Sequence, residues 1–122
     1  MAHSVRSFEE LWIWQQSRLL VKNVYKNFGV GTPGNRGFGF RDQIQKAAVS
    51  IMNNTAEGFE RTSDNDFARF LNIAKASCGE VRSMYYTAED LEYVSVLVAE
   101  ERRGKCRQIA AGIVSLHSHL KS

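Results

Sequence analysis

The acids with the strongest claim to chemistry surround one turn: Glu57, Glu60, Asp64 and Asp66 place four carboxylates within ten positions. Grouped carboxylates can hold a divalent cation and activate water. These four have a simpler use. Ser63 followed three residues later by Asp66 resembles a helix capping box with a shortened acid, and acids in a first turn suit the positive end of the helix dipole. Nothing in the chain pairs a nucleophile with a base. The expectation is no catalysis, no cofactor and no metal; a hydrolase would require metal-dependent turnover that Asp66→Asn abolishes.

Other chemistry-bearing residues fare no better. Gly29, Gly31 and Gly34 spell GxGxxG, but a dinucleotide site needs a strand before the pattern and a helix opening at its last glycine. Here a helix is expected before it, and Pro33 with Asn35-Arg36-Gly37 prolongs the loop, so the segment reads as a non-helical connection. Cys78 and Cys106 have no histidine at ligand spacing and fall on apolar helix faces, as buried free thiols of a reducing compartment do. His117 and His119, two apart, point away from each other on a helix. Asn53-x-Thr55 is a chance sequon.

The elements that carry these residues are helical throughout. Helices are expected over about 8–27, 38–57, 64–90 and 95–120, within one domain spanning 1–122. Ser7 can cap the first, with Glu9 and Glu10 in its first turn. That helix has more apolar residues than one core-facing stripe needs, which suggests a second buried face. Trp12, Trp14 and Tyr25 are the candidate oligomer interface; the competing account is a packed core with one exposed indole.

The second helix presents Phe40, Ile44, Ala47, Ala48 and Ile51 on one face and ends at Gly58, read as a left-handed cap. Asn54 and Glu57, three apart, are expected to clamp the following turn, with Arg61 as Glu57's partner. The third helix carries a seam at nearly heptad spacing: Phe67, Leu71, Ala74, Cys78, Val81, Tyr85 and Ala88. The fourth, capped by Ser95, presents Val96, Ala99, Cys106, Ile109, Ala110, Ile113, Leu116 and Leu120, with Gly104 and Gly112 weakening it. Four amphipathic helices with short connections predict an all-α, antiparallel up-and-down four-helix bundle.

Composition agrees with a folded chain. Of 122 residues, 43% are hydrophobic and 24% charged, with one proline. No apolar run approaches the ~20 residues of a membrane span, and Met1 to Arg6 lacks the apolar stretch of a secretory signal. A cytoplasmic protein with no membrane role is expected.

A resemblance now becomes visible. Phe8-x-x-Leu11-x-x-Trp14, Phe38-Gly39-Phe40-Arg41-x-Gln43-Ile44-x-Lys46-Ala47-Ala48-x-Ser50-Ile51-x-x-Asn54-x-Ala56-Glu57-Gly58, Arg61-x-Ser63, Arg69-Phe70-Leu71-x-Ile73-Ala74 and Leu91-x-Tyr93-Val94 resemble the bacterial four-helix-bundle proteins encoded in intervening sequences of large-subunit ribosomal RNA genes. A relative of that family is the accessory variability determinant protein of diversity-generating retroelements, which works beside a reverse transcriptase and contacts RNA. The resemblance implies a homopentamer with basic surfaces, no catalysis, and RNA, DNA or a reverse-transcriptase-like protein as partner. Met52 stands where the family usually has proline, which implies a straighter second helix. Thr55 replaces an isoleucine, and the first loop is richer in glycine than is usual.

Charge is the internal support for a nucleic-acid role. Residues 1–61 hold eight basic and five acidic residues, residues 62–122 eight of each, so the net +3 is N-terminal. Five copies at +3 each would carry +15, enough to turn a weak patch into a field. The candidate phosphate contacts are Arg36, Arg41, Lys46, Arg61, Arg69 and Lys75. For Arg102, Arg103, Lys105 and Arg107, ion pairs with Glu100 and Glu101 along the same helix are the better account. Trp12 or Tyr25 could stack on unpaired bases. The alternative is a protein-interaction scaffold without a nucleic-acid role, its charge serving solubility.

Overall fold

In the computed structural model, which describes residues 5–122, four α-helices carry the chain: α1 (Trp12–Asn27), α2 (Phe38–Phe59), α3 (Asp64–Asp90) and α4 (Val96–Lys121). The fold is all-α, with no strand among the described residues. Residues 1–4 of the expected domain lie outside those described.

Caps set the second half of the chain. Ser63 Oγ accepts from the Asp66 N–H at 3.1 Å and opens α3; Ser95 Oγ accepts from the Val98 N–H at 3.1 Å and opens α4. Each cap satisfies an N–H that the helix leaves without a partner. Between them α3 ends in a left-handed residue, Glu92 at φ 58°. The Tyr93 N–H donates to Ala88 O at 2.8 Å and the Glu92 N–H to Glu89 O at 3.0 Å, the paired bonds of a Schellman close. This close aims Tyr93 inward, edge-on to Phe28 with centroids 6.3 Å apart and against Phe40 at 5.5 Å.

The first helix begins later than expected. Ser7 makes no side-chain cap; Phe8–Glu10 form one 3-10 turn, and the extended Leu11 precedes α1. Burial decides this. Phe8 reaches Trp14 at 5.2 Å and Leu11 is buried, an arrangement that a helix continuous from Phe8 does not provide. The glycine-rich connection was read as non-helical, yet Pro33–Arg36 form a 3-10 turn with proline at its start, where a missing N–H costs nothing. Gly34 is buried there, and only glycine fits, because a Cβ would enter the Phe28 ring.

The end of α2 also departs from expectation. Gly58 is helical and α2 runs past it to Phe59. What requires glycine is close approach: a Cβ would lie 2.8 Å from Phe70 Cβ and 2.9 Å from Phe67 Cδ1 on α3. The helix is continuous through Met52, and Thr55, fully buried, returns its hydroxyl to Ile51 O at 2.8 Å, so no polar atom is stranded.

The core is one cluster. Every residue of the α3 seam from Phe67 to Ala88 is buried, as are Ile44, Ala47, Ala48 and Ile51 of α2 and Ala99, Cys106, Ile109, Ile113 and Leu120 of α4. Val96 differs from expectation: in the first turn of α4 it stays half exposed. Burying each large aliphatic or aromatic side chain is worth about 1.5–3 kcal/mol, so this seam and its facing residues dominate the stability. From α1 the buried set is Ile13, Trp14, Ser17, Leu20 and Val24, at three- and four-residue spacings.

Candidate nucleic-acid interface

The six basic candidates do not converge on one spot. Arg36 and Arg41 lie at the α1–α2 end; Arg61 and Arg69 lie at the α2–α3 turn, about 30 Å away along α2 at the helical rise per residue. Lys46 and Lys75 fall between, on different sides of α3, so what they form is a strip and a flank rather than a pocket.

At the first end the 3-10 turn presents Arg36 to solvent, its Nε donating to Pro33 O at 3.2 Å. Arg41, one turn into α2, is half-buried; its Nη1 donates to Asn35 Oδ1 at 2.9 Å, and the guanidinium lies 4.8 Å from the Phe38 ring centroid. Asp42 pairs with Arg41 at 3.4 Å, but that carboxylate is largely exposed and screened, a weak competitor for phosphate.

The opposite end holds the most pointed arrangement. Phe70, buried where α3 crosses Gly58, has the Arg61 guanidinium 4.7 Å and the Arg69 guanidinium 4.8 Å from its ring centroid. Cation–π attraction, about 0.5–1 kcal/mol at exposed sites, holds each in place. Asp66 reaches Arg69 at 3.6 Å with both side chains exposed, and Glu57 and Glu60 share a surface cleft of about 380 Å³ with Arg61 without a close ion pair to it. The expected clamp does not form: Asn54 turns back on α2, its Nδ2 donating to Ser50 O and Oγ at 2.9 Å each, and Arg61 lies on Phe70.

Between α2 and α3 a groove of about 450 Å³ is lined by Lys46 with Asp42, Gln43, Ser50, Ser77 and Glu80. Gln43 Nε2 donates to Glu80 Oε2 at 3.0 Å, and the Ser50 and Ser77 hydroxyls share a hydrogen bond of 2.8 Å. On the far side of α3, Lys75 and Arg82 rim a cavity of about 130 Å³ above Cys78 and Cys106. Burial pushes both thiols up to about 12, against which Arg82 and Arg107 only partly act at Cys106. They stay protonated at neutral pH, poor as metal ligands or nucleophiles.

The charges of α4 pair along their own helix, as expected, only at Arg102 with Glu101; Arg103 and Lys105 turn to other helices. Arg103 is buried, its Nη2 lying 3.0 Å from Glu89 Oε1 on α3, its Nη1 donating to Tyr85 O at 3.3 Å and its guanidinium 4.1 Å from the Tyr86 ring. Arg102 pairs with the adjacent Glu101 at 2.6 Å and donates from Nε to Asn27 Oδ1 at 3.1 Å, where the buried Tyr85 hydroxyl also donates at 2.8 Å. Lys105 donates to Gln16 of α1 at 2.8 Å. These cations bind α4 to its neighbours, and Arg107 alone of the four stays fully at the surface.

The aromatic candidates separate. Trp14 is buried in its own chain, with Arg18 5.7 Å above it, whereas Trp12 and Tyr25 are 49% and 47% exposed. Trp12 lies across Gly112 of α4 and shares α1's outer face with the half-exposed Leu19. Two residues escaped the sequence reading. Arg82 follows Lys75 at helical spacing beside the cysteines, which its position alone could have indicated. Phe38, 64% exposed, was hidden by Phe40 two residues on, which suits the core.

The family model of the 23S rRNA-intervening sequence protein matches residues 9–115. Among solved structures, a protein with unknown function from the S23 ribosomal protein family of Bacteroides thetaiotaomicron VPI-5482 aligns with a TM-score of 0.77 at 22% identity, over 84% of this chain and 95% of that one. At that identity the likeness concerns the fold. No curated protein matches the chain.

Proposed function

The chain belongs to the 23S rRNA-intervening sequence protein family, and from that premise we propose that it is a non-catalytic, oligomeric, cytoplasmic accessory protein that binds RNA or DNA through basic patches. The observation that carries the reading is the pair of guanidiniums, Arg61 and Arg69, on the single Phe70 ring. Both side chains are exposed, so two positive charges are held at one end of α2, and each guanidinium can take a backbone phosphate through charge-assisted hydrogen bonds. Arg36 and Arg41 extend the contact to the other end of α2.

An antiparallel up-and-down bundle is supported by pairings that run in opposite directions along neighbouring helices: Gln43 with Glu80, Ser50 with Ser77, and Gly58 against Phe67. The homopentamer of the resemblance fits the half-exposed Trp12, Leu19 and Tyr25 of α1, apolar area that a second copy would cover. That exposed apolar area favours the second reading as well, a protein-interaction scaffold, with a reverse-transcriptase-like protein among the partners to try.

The test is Arg61→Glu with Arg69→Glu, titrated against labelled structured RNA and duplex DNA. Loss of two phosphate contacts should weaken binding and flatten its logarithmic salt slope by about 1.4 to 1.8. An unchanged slope would remove the Phe70 pair from the interface, and wild-type protein that binds neither nucleic acid would leave the scaffold.

A further inference from the structure

We propose that the exposed Phe38 ring is a stacking platform for an unpaired base of a single-stranded nucleic acid, and that the α2–α3 groove beside it receives the polar edge of that base. The inference rests on the nucleic-acid reading above and assigns that surface a substrate class, single strands over duplexes.

The two phenylalanines of Phe38-Gly39-Phe40 have opposite fates. Phe40 packs on Phe28 at 5.6 Å and Tyr93 at 5.5 Å; Phe38, at the start of the same helix, leaves 64% of itself in water. An isolated exposed aromatic is common, but this one is held. The Arg41 guanidinium lies 4.8 Å from its ring centroid and is itself fixed by Asn35 at 2.9 Å. A ring supported on one face by a fixed cation, and open elsewhere, is the construction by which single-strand binders stack bases, with arginine adding cation–π attraction.

The surroundings suit a base rather than a second apolar surface. Gly39 leaves bare backbone beside the ring: a Cβ there would meet nothing within 4 Å. Phe38, Asp42 and Lys46 follow at four-residue spacing on one ridge of α2, and Gly39, Asp42 and Lys46 line the groove of about 450 Å³, so its lining begins at the residue next to Phe38. Inside, Asp42 and Glu80 repel phosphate but accept hydrogen bonds from exocyclic amino groups, and the Gln43 amide offers both donor and acceptor. A strand therefore divides its chemistry: base on Phe38 and towards the groove, phosphate on Arg36 and Arg41. A duplex, its bases already stacked and paired, has nothing to lay on the ring.

The test compares Phe38→Ala, Phe38→Leu and Phe38→Trp with wild type, using labelled oligocytidylate and oligodeoxycytidylate of about 12 nucleotides, whose bases carry the exocyclic amino group, within single-strand site sizes, and a duplex of the same length. Phe38 is exposed, so the variants should fold, which circular dichroism checks. Alanine and leucine should each weaken single-strand binding about tenfold, tryptophan should preserve or tighten it, and duplex affinity should stay put. The two single strands report whether ribose or deoxyribose is preferred. Single-strand affinity unchanged in Phe38→Ala, while Arg61→Glu with Arg69→Glu still loses binding, would overturn the platform and spare the phosphate reading. Equal losses on duplex and single strand would overturn it too, and wild-type protein that binds no probe would end both.

Discussion

Adding one methyl group at Gly58 and at Gly79 should have opposite effects. Both glycines are helical, and replacing helical glycine with alanine away from neighbours gains about 0.8–1 kcal/mol of helix propensity. A Cβ at Gly79 meets nothing within 4 Å, so Gly79→Ala should show that gain in full. At Gly58 the new carbon would sit 2.8 Å from Phe70 Cβ and 2.9 Å from Phe67 Cδ1, with Phe67 O at 3.3 Å. Two of those atoms are backbone or next to it, so α3 itself must move, an overpacking cost of about 1–3 kcal/mol. Set against the propensity gain, Gly58→Ala should lose about 1 kcal/mol, leaving the two variants about 2 kcal/mol apart. Urea denaturation followed by far-ultraviolet circular dichroism, at one protein concentration because assembly contributes, would place their midpoints about 1 M apart. Gly58→Ala as stabilising as Gly79→Ala would refute the close approach of α2 and α3 there, and with it the placement of Phe70 beneath its two arginines.

Glu92→Gly should stabilise the protein by about 1 kcal/mol by removing a left-handed non-glycine residue, measurable in the same denaturation. Arg103→Ala should cost about 2 kcal/mol, because it strands the Glu89 carboxylate and opens α3 from α4, visible as a lower melting temperature. Alkaline pH should destabilise: burial holds the Cys78 and Cys106 protons up to about 12, and the unfolded chain gives them up near 9. Stability is therefore fully present below about pH 8 and is lost as pH rises from 9 towards 12, a slope that Cys78→Ala should make shallower. The buried Tyr85 phenol, also raised by burial, adds to the same loss above its ordinary value.

Local signals carried the sequence reading where they were sufficient. The bounds of α3 follow from Ser63 and a seam whose members are all buried, because cap and period are encoded within the segment itself. Gly58 misled because left-handed caps and close helix crossings ask for the same residue, and only α3, brought there by folding, distinguishes them. Ser7 was a plausible cap, yet the contact of Phe8 with Trp14 moved the helix start to Trp12. Phase did not separate Trp12 from Trp14: they flank the inner stripe of Ile13, Ser17, Leu20 and Val24 at nearly equal angles, and Phe8, folded back on Trp14, is what covers one and not the other. Glu101 was legible as a partner of Arg102, but Asn27 for Arg102, Glu89 for Arg103 and Gln16 for Lys105 were not, since each is distant in sequence.

The central claim, that basic patches on a helical oligomer hold nucleic acid, is tested most directly by the salt dependence of binding. The purified protein, its mass fixed by light scattering, would be titrated with labelled RNA and DNA from low to physiological salt. Affinity should fall linearly in logarithmic coordinates by orders of magnitude, with a slope that Arg36→Glu with Arg41→Glu reduces while the mass stays constant. An intact assembly that binds no nucleic acid at low salt, or binds it with an affinity indifferent to salt, would contradict the account.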